Sequence, residues 1–195
     1  MPRPIIFIDL AGTLVVRDPQ SRRLVAWTGV AGLLFELARE HDLHLATGES
    51  PGGARAVLAD LGVESLFTDV HADLPMGGKP FGALAQGLGV PPRHCLMLGD
   101  DHLADTAGDT DAVVTLLLRH ETRQVPVARV REVVARLRAE DGFLAGFEAL
   151  LGANGSVREV DALDRLAGAA LGDDCRLGWW RRTETTRRPV VVLSA

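Results

Sequence analysis

A carboxylate, a hydroxyl, an ammonium group and a pair of carboxylates each occur in this chain beside an apolar run or a helical pattern. Asp9 ends Ile5-Ile6-Phe7-Ile8 and opens Leu10-Ala11-Gly12-Thr13, and Thr47-Gly48 ends Leu43-His44-Leu45-Ala46. Lys79 stands in Gly78-Lys79-Pro80 ahead of a helical pattern; Asp100-Asp101 close Cys95-Leu96-Met97-Leu98-Gly99, with Asp105 a further turn along. Ile5 to Ile8 reads as a buried strand, so Asp9 would leave the core at the carboxyl edge of a sheet. Open α/β sheets bind their ligands there, and a nucleophile belongs there. Each residue also has a plainer reading: Asp9 could start a turn, Thr47 cap a strand, Lys79 lie on the surface, and Asp100-Asp101 close a strand. Independent accidents would not fall in this order, which favours one shared site.

Such a site needs strands that end at one edge and helices that carry the chain back. Residues 14 to 27 read as a hairpin, with Asp18-Pro19-Gln20-Ser21 at its turn. Val30, Leu33, Leu34, Leu37 and Ala38 follow a helical period, with Thr28 as the expected N-cap. Helices are expected again over Ala54 to Leu61 and Phe81 to Leu88, and strands over Ser65 to Val70, Leu96 to Leu98 and Val113 to Leu118. This alternation predicts an α/β fold built on a doubly wound parallel sheet. Beyond Arg119 the texture changes. Val127 to Arg138, Phe143 to Leu151 and Val160 to Leu171 read as helices, and Arg176 to Arg182 with Arg187 to Leu193 as a hairpin. The chain thus divides into a core over 1–125, with a hairpin flap at 14–27, and a C-terminal extension over 126–195 expected to be an accessory appendage.

The chain's 195 residues, 47% of them hydrophobic, suffice for one substantial domain. A formal net charge of −5 gives no general attraction to nucleic acid or an anionic membrane. Cys95 and Cys175 suit a reducing compartment better than a disulfide framework. Asp9 interrupts the first apolar run too early for a signal peptide, and no run approaches a membrane span, so a cytoplasmic location is expected. Arg176, Trp179, Trp180, Arg181, Arg182, Arg187 and Arg188 form a basic, aromatic segment compatible with a phosphorylated polymer or an acidic partner. The favoured expectation is that the tryptophans pack on the tail helices while the arginines face solvent. Nucleic acid is therefore not the favoured partner, and the oligomeric state is not legible.

Taken together, the four segments resemble the four motifs of the haloacid dehalogenase (HAD) superfamily, over roughly residues 4 to 120. The resemblance implies a Rossmannoid core and a hydrolase, most often a phosphatase, that works through an aspartyl-phosphate on Asp9. It implies magnesium held by Asp9, the backbone carbonyl of Ala11 and Asp100, with Asp101 or Asp105 in the outer shell. Thr47 would donate to a phosphoryl oxygen, and Lys79 would offset charge on phosphate and nucleophile. Gly12, Thr13 and Gly48 would shape the phosphate-binding loops.

The departure is at Ala11, where family phosphatases carry a second aspartate that protonates the leaving group and then activates water. Such acid and base help is worth roughly 10²- to 10⁴-fold, so its loss implies a slow hydrolase unless another group substitutes. The alternative is a catalytically impaired domain kept for binding or regulation. The short interval from Thr13 to Thr47 leaves no room for a helical cap, and that from Thr47 to Lys79 none for an α/β cap. The chain therefore resembles the capless branch, whose open site suits phosphorylated substrates as large as macromolecules.

Overall fold

The computed structural model describes residues 3–119, 124–153, 159–169 and 171–194. Its main sheet begins with β1 (Ile5–Ile8), which lies between β4 (Asp42–Ala46) and β6 (Cys95–Gly99) and is parallel to both. Beyond β4 comes β5 (Phe67–His71), and beyond β6 comes β7 (Val114–Arg119), again parallel. A central parallel strand is covered on both faces, which is why β1 is apolar at every position. Ile6 and Ile8 join one core with Leu33, Leu34, Val130, Val133 and Phe147; Ile5 and Phe7 join the other with Phe81, Ala85 and Met97. Between β1 and β4 come the short hairpin β2 (Val15–Arg17) and β3 (Leu24–Ala26), then α1 (Val30–Ala38).

The remaining core helices are α2 (Pro51–Asp60), α3 (Phe81–Gly87) and the single turn α4 (His102–Asp105). Pro51 occupies the first position of α2 and the Ser50 hydroxyl accepts the Gly53 amide, a side-chain cap on the exposed amides of that end. Thr28 does not cap α1 with its side chain. The N-cap is Gly29, at φ 93°, where a side chain would press on Val127, while the Thr28 carbonyl accepts the Val125 amide at 2.9 Å.

The extension ends in the expected hairpin, β10 (Gly172–Arg181) and β11 (Arg187–Ser194). This hairpin is hydrogen-bonded into the main sheet: β11 runs parallel to β7, and the order is β5-β4-β1-β6-β7-β11-β10-β8, where β8 is Glu159–Val160. Without β11, the buried strand Val114–Leu118 would present unpaired backbone groups at an open edge. Two helices, α5 (Val127–Leu137) and α6 (Phe143–Ala153), close the same face, with Leu137 and Phe147 in one core with Ile8.

The helix expected over Val160 to Leu171 is not formed. That segment contains β8, a single 3₁₀ turn at Leu163–Arg165 and the short strand β9 (Ala167–Ala169), which pairs with β10. Its apolar residues recur every three positions, a spacing that an extended path over the sheet satisfies as well as a helix does. Val160, Leu163 and Leu166 pack there on Leu117, Trp180 and Val190. Burial pushes both cysteine thiols, Cys95 and Cys175, up to about 12, so they are inert core residues. Among the described residues no helix is long and apolar enough to cross a membrane.

Candidate functional site

The ladder of β1 continues one residue past the strand, for the Asp9 amide donates to the Leu98 carbonyl at 2.9 Å. This fixes Asp9 at the carboxyl edge between β4 and β6. The chain then turns sharply: the amides of Leu14 and Val15 return to the Leu10 carbonyl, and the Gly12 amide reaches Val15. Gly12 takes φ 91°, and a Cβ there would collide with the Asp100 carboxylate, so both backbone freedom and space require glycine. The indole of Trp27, the last residue of the flap, donates to the Gly12 carbonyl at 2.9 Å and ties the hairpin to this loop.

Lys79 joins the two ends of the site. Its ammonium lies 2.6 Å from an oxygen of Asp9 and 2.6 Å from one of Asp105, and the side chain is 1% exposed. The second Asp105 oxygen accepts the amides of Asp100 and Asp101 at 3.0 and 3.1 Å. Gly99 leaves the room that this carboxylate occupies. Asp105 is thereby committed on both oxygens, to Lys79 and to the turn after β6. Asp100 accepts the Thr13 hydroxyl at 2.9 Å, which directs that hydroxyl at a carboxylate.

Three carboxylates share this pocket with one ammonium, and one oxygen from each of Asp9, Asp100 and Asp105 lies within 4.8 Å of the others. Burial, and then the charge of Asp105, push Asp9 up to about 7 against the pull of Lys79. Burial likewise lifts Asp100 to about 6, although the Thr13 hydroxyl works the other way. Burial works against the charge on Lys79, but Asp105 and Asp9 outweigh it and hold the ammonium above its ordinary value. A buried excess of negative charge, built from hard oxygen donors, is the environment that a divalent cation of the magnesium type relieves. The donor set fits such an ion.

Thr47 follows β4 at the same edge. It is 1% exposed, its amide donates to the His71 carbonyl at 2.9 Å, and its hydroxyl accepts the Glu49 amide at 3.2 Å. Gly48 lies beneath Met76, whose sulfur a Cβ would strike. Asp101 stands apart from the carboxylate cluster: it is the N-cap of α4, accepting the amides of Leu103 and Ala104. Ala11 is exposed. His102 lies against Trp180, with ring centroids 5.1 Å apart.

Two arginines of the basic segment reach the site's loops, a role that the sequence did not show. Arg188, 5% exposed, donates to the carbonyls of Ala107 and Gly108 at 2.5 and 3.3 Å. Arg182 donates to the Gly77 carbonyl and lies 3.5 Å from those of Thr106 and Ala107. Arg182 therefore grips the segments that carry Lys79 and Asp105, and Arg188 grips the one that follows Asp105; Arg182 is half-buried and Arg188 buried, where the arginines of the basic segment were expected to face solvent. Trp179 does pack on the tail, edge-on to Phe147 of α6 at 5.4 Å. The guanidinium partners are main-chain carbonyls, which no residue pattern announces. A cavity of about 790 Å³, lined by Arg3, Val90, His94, Arg138 and Phe143, opens at the amino edge of the sheet and contains none of these groups.

No protein-family model matches the chain, and no curated protein matches it in sequence. Solved structures do match. A HAD-superfamily hydrolase from Ehrlichia chaffeensis is 9% identical and superposes with a TM-score of 0.52, over 70% of this chain and 98% of that one. A HAD-superfamily hydrolase of subfamily IA from Geobacter sulfurreducens is 15% identical, with a TM-score of 0.50 over 68% and 98% of the two chains. A hydrolase from Streptococcus pneumoniae is 14% identical, with a TM-score of 0.50 over 69% and 100%. At these identities the likeness is one of fold. The chain has the HAD-like Rossmannoid fold.

Proposed function

We propose that this chain hydrolyses phosphate monoesters through Asp9, with magnesium as its cofactor. The observation that carries this reading is the buried ammonium of Lys79, which bridges Asp9 and Asp105 at 2.6 Å on each side next to Asp100. Asp9, the carbonyl of Ala11 and Asp100 would hold the ion, with Asp105 behind them. When bound, the ion offsets negative charge on the phosphoryl group and on the carboxylates around it.

In the first step an Asp9 oxygen attacks phosphorus, the phosphorus–oxygen bond to the leaving group breaks, and the leaving oxygen takes up a proton from solvent water, since Ala11 offers none. Water then attacks the phosphorus of the aspartyl-phosphate, releasing inorganic phosphate and restoring Asp9. Lys79 keeps the nucleophile oriented and offsets its charge, and Thr47 donates to a phosphoryl oxygen from the end of β4. Gly12 and Gly48 let the backbone approach the substrate, while Thr13 positions Asp100. Between Asp9 and Lys79 the chain is a hairpin, two helices, two strands and a 3₁₀ turn, with no separate folded cap. An uncapped site favours phosphorylated substrates that bring their own enclosure, including macromolecules.

Ala11 favours a second reading, a binding or regulatory domain of the same fold, because it supplies no acid. The test measures kcat with magnesium on one activated and one unactivated ester. The parent should turn over the activated ester, and Asp9→Asn should abolish that turnover. Ala11→Asp should raise kcat on the unactivated ester by roughly ten-fold or more, since the poor leaving group is the one that needs a proton. Equal, negligible rates for parent and Ala11→Asp on both esters would count against the phosphatase reading.

A further inference from the structure

A second set of side chains able to bind a metal lies midway along β4 and on β5, outside the carboxylate site. In the register of these strands His44 pairs with Asp69 and Ala46 with His71. Cross-strand partners share a face, and residues two apart on a strand share it too, so His44, Asp69 and His71 all project to the same side. One ligand atom from each lies within 4.8 Å of the other two. His44 Nδ1 and His71 Nε2 share a hydrogen bond at 3.1 Å, one ring donating to the other, and the ring planes differ by 7°. Phe7 meets both rings edge-on, at 5.8 and 5.9 Å between centroids, and forms an apolar wall behind them.

We propose that His44, Asp69 and His71 form a second cation site, selective for a zinc-class divalent ion and distinct from the site at Asp9. Two imidazoles bound tetrahedrally to one zinc at ~2.0–2.1 Å place their nitrogens about 3.3 Å apart, within a few tenths of an ångström of the separation found here. Two imidazole nitrogens and one carboxylate are a borderline-soft set that suits zinc, cobalt or nickel; magnesium prefers the all-oxygen set at Asp9 and Asp100. Burial holds both imidazoles below their ordinary pKa and favours their neutral form, and the ring that donates in the bond between them would present its lone pair to an ion by taking its other tautomer. Access runs from buried His44 through half-buried His71 to exposed Asp69, which gives an ion a route in from solvent.

The consequence lies in the sheet. Among the described residues β5 is an edge strand paired only with β4, and the His71 carbonyl is the acceptor for the Thr47 amide. An ion held across the two strands would fasten β5 to β4 and steady the turn that presents Thr47. The site itself does not depend on the phosphatase reading.

The test uses the full chain, stripped of metal and then kept in millimolar magnesium to fill the carboxylate site. Cobalt titration followed by visible absorption, and zinc titration by calorimetry, should show one equivalent that magnesium does not displace. Asp9→Asn should leave that equivalent unchanged. Removing a hydrogen-bond partner of a ligand already costs about 10- to 100-fold in affinity, so His71→Gln should weaken binding by at least about ten-fold. Asp69→Asn, at an exposed position, provides a second variant that leaves the core untouched and should also weaken binding. Circular dichroism establishes that both variants fold. Absence of a zinc equivalent would overturn the proposal, as would binding that survives both substitutions or that disappears with Asp9→Asn.

Discussion

The parallel strands β1, β4 and β6 and the antiparallel hairpin β10–β11 both reach the candidate site, and they do so with different chemistry. From the parallel strands come side chains at strand ends: Asp9, Thr47 and Asp100, each following an apolar run. From the hairpin come Arg182 and Arg188, whose guanidinium groups hold the carbonyls of Gly77, Thr106, Ala107 and Gly108. One region supplies the groups proposed to act on a substrate; the other holds the loops on which two of the charged groups ride. Removing a strand-end group should therefore abolish chemistry while the fold survives, whereas removing a hairpin group should loosen the geometry by degrees.

The largest expected effect comes from deleting the second region together with the helices α5 and α6 that precede it. A chain ending at residue 125 exposes β7 as an open edge and loses Val130, Val133, Leu137 and Phe147 from the core shared with Ile8. It should lack a cooperative thermal transition. A cooperative melt with a native circular dichroism spectrum would show that the parallel half stands alone and that the comparison overstates the role of the hairpin.

Within the parallel half, Lys79→Met should destabilise the chain by about 3–5 kcal/mol, the usual cost of leaving buried charge without its partner. Denaturant titration at two pH values sharpens this. The loss should be smaller at pH 5 than at pH 8, because a carboxylate already near 7 neutralises itself readily. An equal loss at both values would show that packing, and not charge, is the principal role of the lysine.

On the hairpin side, Arg188→Met leaves the Ala107 and Gly108 carbonyls short of a donor and should cost about 1–3 kcal/mol. If the hairpin steadies the site as described, the variant should fold yet lose kcat for any substrate the parent turns over. An unchanged kcat in a folded variant would reduce the arginine to scaffolding.

The metal-free protein should also depend on pH. Asp9 sits at about 7 and Asp100 at about 6 in the fold, against an ordinary aspartate value of 3.8. The native state therefore holds protons that the unfolded chain has released between about pH 4 and 7. Stability from these groups is fully present below that window and falls as pH rises through it. Lys79, held above 10.5, titrates outside the window. Melting temperatures in a chelator should fall from pH 5 to pH 8, and magnesium should restore more at pH 8. A flat profile would mean that the carboxylates are already compensated within the protein.

The sequence made some of this legible and hid the rest for identifiable reasons. Asp9, Thr47 and Asp100 could be placed at one edge because a fully apolar strand has a definite end, and Lys79 because Pro80 marks the start of a helix. The pair Asp100-Asp101 gave no sign that the two carboxylates part company, since the capping of α4 by Asp101 depends on backbone amides that exist only once that turn forms. Val160, Leu163 and Leu166 misled for a different reason. Their spacing suits a helix, and only the presence of β10 beneath them selects the extended path. The arginine grip could not be read at all, because a carbonyl belongs to every residue and marks none.

The bond between the Trp27 indole and the Gly12 carbonyl also equips the molecule with an optical probe. The chain has three tryptophans, and Trp179 and Trp180 are buried in β10 at 6% and 5% exposure. Trp27 is only half-buried, at the root of the hairpin that follows Asp9. A water-soluble quencher should therefore reach its emission before that of the other two. Rearrangement of the Asp9 loop would then appear as a change in quenching, with no label attached and no substrate identified.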